Sequence, residues 1–131
     1  MKRALCGILV ALSVAALLLC GYGAYRYIER QYFLYKYPVA YTEEIGKSAA
    51  EYRLNPYMVL AVVRSESSFR PDAVSGAGAV GLMQIMPSTG AWIAEEQGDA
   101  AAFDGARLTD PATNIDYGCW YLRYLSDLFA K

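Results

Sequence analysis

The sequence predicts a mainly α-helical domain preceded by a membrane-spanning helix, and three observations carry that reading. An almost unbroken apolar run, Ala4 to Cys20, opens the chain. Nothing after it shows the sustained apolar-polar alternation that a half-buried strand requires. Helix starts recur instead: Asn55-Pro56 and Asp110-Pro111 each set a capping side chain just before a proline at the first helical position. Of the 131 residues, the first two dozen do not read as soluble protein, so the remainder suffices for one small domain.

Lys2 and Arg3 precede the apolar run, which Gly7 and Ser13 interrupt and Gly21 to Ala24 extend before the first charge at Arg26. A helix of about 20 such residues crosses a bilayer, and its basic start keeps the N-terminus in the cytoplasm and sends the rest outward. Residues 1–24 therefore read as a signal anchor. Two other readings stay open: a cleaved signal peptide with small residues at Gly21, Gly23 and Ala24, and a lipoprotein signal ending at Cys20. Against the latter, Leu19 is large where a small residue is expected. Residues 25–40 read as an aromatic and basic juxtamembrane helix. Tyr25, Tyr27, Tyr32, Phe33, Tyr35 and Tyr37, with Tyr22 just before them, alternate with Arg26, Arg30 and Lys36, a mixture suited to lipid headgroups. The same spacing would also suit an amphipathic helix packed on the domain. Pro38 ends it.

The domain, 41–131, begins at Thr42, whose helix carries Glu43 and Glu44 where the dipole favours acids and runs to about Tyr52. Asn55 caps a second helix, apolar almost all round from Met58 to Val63, which should be buried at the centre and end near Ser67 ahead of Pro71. Ser75 to Gly81 (SGAGAVG) is a glycine-rich connector; it lacks the Lys-Ser or Lys-Thr that a phosphate-cradling loop needs. Met83 to Met86 forms a short turn, Ser88 or Thr89 caps a helix carrying Trp92 and Ile93, and Glu95 to Gly105 reads as a loop. The last helix opens at Asp110-Pro111, and Ile115, Cys119, Leu122 and Leu125 or Ser126 recur along it at three- and four-residue steps.

Composition narrows the chemistry. From Pro38 onward seven Lys or Arg stand against twelve Asp or Glu, a balance of −5, which argues against a nucleic-acid partner. Three cysteines, two of them in the apolar run, make no disulfide framework or metal-ligand spacing. There is no histidine, so the usual general base and the commonest metal ligand are missing. Carboxylates, hydroxyls and amides must carry any reaction, and neither metal nor cofactor is expected. Glu66 stands out because it follows Val59 to Val63 at the end of the helix expected to be buried. A carboxyl withdrawn from water favours its protonated form, as a general acid requires. The plainer reading is a solvated Glu, or one paired with Arg64 or Arg70.

Three motifs follow in order: ESSF at Glu66 to Phe69, GLMQIMP at Gly81 to Pro87, and NIDYGCWYL at Asn114 to Leu122. Together, over about Ile45 to Leu128, they resemble the lytic transglycosylases with the lysozyme-like fold, relatives of goose-type lysozymes. The resemblance implies a lysozyme-like domain that cleaves the glycan strands of bacterial peptidoglycan, with Glu66 as sole acid and base. It also implies that Ser75 supports the catalytic carboxyl and the substrate's acetamido group, that Gln84 binds substrate through its amide, and that Met86 forms an apolar wall beneath the sugars. Each has a duller role available: closing a turn for Ser75, bonding to loop backbone for Gln84, filling core for Met86. Asn114, Tyr117 and Gly118 serve architecture first, with Tyr117 also reaching toward the cleft as a substrate contact.

Family members use one carboxylate where ordinary glycosidases use two, and Asp72, beside Pro71, reads as a turn residue. The implied reaction protonates the bond after N-acetylmuramic acid and then closes a 1,6-anhydro ring without water. Alternatives are a goose-type muramidase that uses water and a non-catalytic, membrane-tethered component that binds peptidoglycan. The family pattern continues to an Ala-Tyr-Asn-x-Gly motif absent before Lys131, so the domain is expected to lack its usual C-terminal part. The expected partners are glycan strands, the membrane through the N-terminal helix, and cell-wall or secretion-machinery proteins. The expected location is the bacterial cell membrane, single-pass, with the domain outside, or exported if the signal is cleaved.

Overall fold

The computed structural model describes residues 2–130. Met1 and Lys131, the outer limits of the predicted segments, lie outside the described residues, as does the side chain of Lys2, whose charge enters the orientation argument. The chain divides into two compact units, Met1–Pro38 and Val39–Lys131.

The first unit is one uninterrupted helix, α1 (Lys2–Lys36). No break separates the two segments distinguished in the sequence near residue 24, because Gly21 and Gly23 each cost a helix only about 1 kcal/mol and nothing crowds them. The helix stops two residues before Pro38, whose ring disfavours helical backbone in the preceding residue. Within it, Cys6–Phe33 is long and apolar enough to cross a membrane. Its 28 residues rise about 42 Å at 1.5 Å each. A hydrocarbon layer needs about 30 Å, so the tyrosine-rich end has length to spare. The rings of Tyr22, Tyr25, Tyr27, Tyr32, Phe33 and Tyr35 are exposed, and Lys36 Nζ sits 5.5 Å from the centre of the Tyr32 ring and 5.6 Å from that of Tyr37.

The second unit is built from α2 (Thr42–Glu51), α3 (Pro56–Ser67), α4 (Pro87–Glu96) and α5 (Pro111–Phe129), with short 3₁₀ turns at Ala100–Ala102 and Gly105–Thr109. The expected mainly helical class holds; extended structure among the described residues amounts to isolated antiparallel bridges of Val80 with Val74 and with Ile85. Asn55 caps α3, its side chain accepting from the Tyr57 N–H at 2.9 Å. Asp110 caps α5, accepting from the Thr113 N–H at 2.9 Å and the Thr113 hydroxyl at 2.8 Å. Those two donors hold the Asp110 carboxyl below the usual carboxylate range.

Two expectations need correction here. Neither Ser88 nor Thr89 caps α4; Pro87 takes the first helical position after an extended Met86, which places both hydroxyl residues inside the first turn. The stretch from Glu95 to Gly105 is more structured than a loop. Helix α4 continues to Glu96, and Gly98 at φ +77 closes it, with the Gly98 and Asp99 N–H groups donating back to the Glu95 and Ala94 carbonyls at 3.0 and 2.7 Å.

The core gathers Ile45 and Ala49 of α2, Val59 and Val63 of α3, Leu82, Met83 and Ile85 of the connecting segment, Ile93, Leu108, and Ile115 and Cys119 of α5. Helix α3 is not buried all round, as its composition suggested. Val59, Val63 and Ser67, four residues apart, are buried, while Tyr57, Met58 and Ala61 are exposed. Residues packed against one stripe of a helix leave its other faces open, whatever their polarity.

Cys119 is fully buried, and burial, with the nearby Asp116 charge, pushes its thiol from 9.0 up to about 12. The unfolded chain therefore ionises this group first, and the stability held by the neutral thiol is lost as pH rises from about 9 toward 12. Urea unfolding of the detergent-solubilised chain should show a midpoint that is steady below about pH 8.5 and declines above it, with a shallower decline in Cys119→Ala. A parent midpoint unchanged up to about pH 11 would refute this.

Candidate active site

Glu66 occupies the last turn of α3, seven residues after Val59 and so facing nearly the same way. It lies beyond Val63, where the core has run out, and it is exposed. The burial expected from the sequence is therefore corrected: the helix aims Glu66 along the core stripe, but among the described residues nothing covers it. Arg70, one of the two cations considered as its partner, instead donates through Nε to the Ser67 carbonyl at 3.1 Å. Immediately after the helix, Ser68 and Phe69 both adopt left-handed backbone, φ 52 and 63. Each costs on the order of 1 kcal/mol in a non-glycine residue, and together they end the helix just past the carboxylate.

The facing wall comes from Gly81 to Met86. Asn114, fully buried on α5, holds it in place: its Oδ1 accepts from the Met83 N–H at 2.7 Å, and its Nδ2 donates to the Leu108 and Val80 carbonyls at 2.8 and 3.0 Å. Gly81 makes this approach possible. Its φ is +83, and a Cβ there would stand 2.2 Å from both Asn114 Nδ2 and the Leu108 carbonyl oxygen. Gly118 does the same for α5, since a Cβ would meet Met83 Sδ at 2.2 Å. Gln84, left-handed at φ 50, points its amide inward, Nε2 donating to the Gly81 and Ala73 carbonyls at 2.9 and 3.1 Å.

These elements enclose an open groove of about 360 Å³ with Glu66, Gln84 and Met86 in its walls. Val62, Met83, Ile85, Ile93, Leu122 and Leu125 supply apolar surface, and Thr89, Gly118 and Tyr121 complete the lining. Glu66 is the one carboxylate among them. The trough can take an uncharged ligand with apolar faces and offer it a single proton donor and acceptor. Of the residues missed from the sequence, Tyr121 and Leu125 stand three and seven positions after Gly118, and that helical spacing could have revealed them; Thr89 had no such signal.

Two candidates lie elsewhere. The Ser75 hydroxyl accepts from the Ala79 N–H at 3.0 Å and closes the glycine-rich connector, outside the groove lining. Tyr117 does not reach the groove. Gly118 is the α5 residue set against Met83, and Tyr117, one position back and about 100° around the helix, lines a different pocket with its ring stacked 6.2 Å from Phe103. No group of three or more His, Cys, Asp or Glu among the described residues is placed to hold a metal ion.

A model of the transglycosylase SLT domain family matches residues 43–131. Membrane-bound lytic murein transglycosylase C from Actinobacillus pleuropneumoniae is 41% identical over 92 residues, 70% of this chain and 25% of that protein. The protein of the same name from Yersinia enterocolitica is 38% identical over 90 residues, 68% of this chain and 25% of its own. The chain thus spans about a quarter of the length of these curated relatives. Among solved structures, an inactive Glu-to-Gln mutant of lytic transglycosylase Slt from Pseudomonas aeruginosa superimposes with a TM-score of 0.69 at 32% identity, covering 75% of this chain and 16% of that one. The 70 kDa soluble lytic transglycosylase from Escherichia coli does so with a TM-score of 0.68 at 31% identity, covering 74% and 16%. The expected lysozyme-like fold is borne out by that likeness.

Replacing Asn114 by Ala strands the buried Met83 N–H and the Leu108 carbonyl, while the Val80 carbonyl keeps the Ile85 N–H at 2.9 Å, and should cost about 3 kcal/mol. Gly81→Ala should cost at least as much, whereas Gly46→Ala, in open space on α2, should stabilise by about 0.5–1 kcal/mol. Thermal unfolding of the three variants checks this, and an Asn114→Ala variant within about 1 kcal/mol of the parent would remove the clamp from its role.

Proposed function

Because the chain belongs to the transglycosylase SLT domain family, we propose that it cleaves peptidoglycan glycan strands at the bond after N-acetylmuramic acid, with Glu66 as the sole acid and base. The observation that carries this reading is the single carboxylate in a groove otherwise lined by apolar, amide and hydroxyl side chains. A glycosidase with two working carboxylates needs a second one within about 5–10 Å across the cleft, and Asp72 is not part of the groove lining.

A glycan lying in the groove displaces water from Glu66, and loss of water favours the protonated carboxyl. Glu66 then gives its proton to the oxygen of the leaving sugar. The substrate's acetamido group and nearby dipoles stabilise the positive charge that develops on the remaining ring. The carboxylate left behind takes the proton of that sugar's own 6-hydroxyl, whose oxygen closes the 1,6-anhydro ring. One proton leaves Glu66 and one returns, so the residue ends as it began and no water enters. Met86, at the rim, and the apolar side chains below it suit the C–H faces of sugar rings. Ser75 contributes by fixing the connector that leads into Gly81, and Gln84 by holding the groove wall through its amide. Helix α1 anchors the domain in the cell membrane, as the names of the membrane-bound relatives and the Cys6–Phe33 span favour; the basic residues at the start of the chain favour a cytoplasmic N-terminus and a groove outside.

Digestion of purified peptidoglycan by the detergent-solubilised chain, read by mass spectrometry, should release fragments with 1,6-anhydromuramyl ends. Glu66→Gln should abolish release while changing stability by less than about 0.5 kcal/mol, since the side chain is exposed. Reducing ends would make the protein a muramidase instead, and strand binding without cleavage a tethered wall-binding component. Full activity in Glu66→Gln would remove the residue from the mechanism.

A further inference from the structure

The end of α1 beyond Ala24 has no part in the cleavage reaction, and its register against a bilayer follows from two lengths. Ala4 to Ala24 is a run of 21 residues without a charge. As helix it rises about 31 Å, which fills a hydrocarbon layer of about 30 Å. Sinking the whole Cys6–Phe33 span instead would take Arg26, Glu29 and Arg30 into hydrocarbon, where each charge costs about a hundredfold in the insertion equilibrium. The hydrocarbon therefore ends near Ala24.

Arg26 and Arg30 then stand about 3 and 9 Å beyond that boundary, against a headgroup layer about 5–8 Å deep. Helical side chains lean toward the N-terminus, which here is toward the bilayer, so the long Arg30 arm reaches back into the same layer. Four residues apart, the two arginines share a face of α1 and line an open trough with Tyr27, Glu29 and Phe33. Arg26 is already paired with Glu29, at 3.3 Å. Arg30 has no ion pair among the described residues, so the headgroup layer receives one uncompensated cation. Lys36 stands about 18 Å beyond Ala24, too far out to contribute, and lies over the Tyr32 and Tyr37 rings.

A net cation at this depth selects among lipids. A zwitterionic headgroup brings its own cation to its phosphate, whereas phosphatidylglycerol leaves the phosphate charge uncompensated. A guanidinium matches phosphate oxygens in both charge and geometry. The domain cannot supply this attraction, because the chain from Pro38 onward carries a balance of −5, which an anionic surface repels.

We propose that Arg30, with Arg26 beside it, holds the phosphate of an anionic phospholipid, so that α1 gathers such lipids around itself where it leaves the bilayer. The proposal rests on α1 being a membrane anchor and is independent of the cleavage reaction. It holds for either orientation of the helix, since both leaflets present phosphates.

The whole chain, carrying Lys2→Gln and Arg3→Gln to quiet the other basic end of the helix, is reconstituted into phosphatidylcholine vesicles. Traces of spin-labelled phosphatidylglycerol or spin-labelled phosphatidylcholine are added, and electron spin resonance reads how strongly each is held at the protein. Phosphatidylglycerol should be preferred about threefold in dilute buffer, and the preference should shrink toward parity at about 1 M salt. Arg30→Gln leaves Arg26 and Glu29 to balance each other and should remove at least half of the excess. Arg30→Lys, which keeps the charge, and Lys36→Gln, which acts outside the layer, should each retain it. Equal holding of the two lipids by a chain that floats with the vesicles and resists alkaline carbonate would overturn this proposal and leave the anchor standing. So would an undiminished preference in Arg30→Gln, or a loss in Lys36→Gln as large as in Arg30→Gln. Extraction of the chain by carbonate would overturn the anchor and the proposal together.

Discussion

The Asn114 clamp is the contact on which the groove depends. One amide, with no exposed surface, satisfies the Met83 N–H and the carbonyls of Val80 and Leu108. It thereby ties α5 to two separate stretches of irregular chain. Each stretch satisfies part of its own backbone, Val80 through its bridge with Ile85 and Leu108 within a short 3₁₀ turn, but the Met83 N–H depends on the Asn114 amide, and a buried backbone group left without a partner is costly. The clamp works only because two glycines let the backbone come close enough, Gly81 beside the amide and Gly118 against Met83. Groove walls, core and loop geometry are thus one construction.

This helps explain what could be read in advance. Helix starts at Asn55 and Asp110 were legible because a cap and a following proline are local signals, and the apolar stripe of α5 was legible because its spacing is periodic. Glu66, Gln84 and Met86 were brought together by resemblance, and the fold does place them around one groove. Other features were hidden. The exposure of Glu66 depends on what lies across the groove, which α3 does not encode. The direction of Tyr117 depends on its neighbour Gly118 being the residue that meets Met83. The start of α4 at Pro87 was a contest between two plausible caps and a proline, and the ring's fixed torsion prevailed.

Rigidity and openness are distributed unevenly around Glu66. The wall from Gly81 to Met86 is held by the Asn114 hydrogen bonds to Met83 within it and to Val80 just before it, and by a buried core, while the carboxylate itself stands in solvent at a helix end. The shape of the groove is therefore set before any ligand arrives, and the polarity around the acid is set by what occupies it. Nearby, Trp92, Trp120, Tyr121 and Tyr124 form a connected ring cluster, with centroids 5.1 to 6.4 Å apart. It stiffens the packing of α4 on α5 along the flank that carries Tyr121.

The left-handed residues Ser68, Phe69 and Gln84, together with Gly81, bear on how relatives should be compared. At such positions the backbone restricts which side chains are tolerable, disfavouring β-branched residues independently of any chemistry. Invariance there across an alignment would record a conformational demand, and should be discounted before it is counted toward catalysis. Glu66 has ordinary helical backbone and an exposed side chain, so packing and torsion leave it open to many substitutions. Selection that nevertheless kept a glutamate at that position would have to act through function.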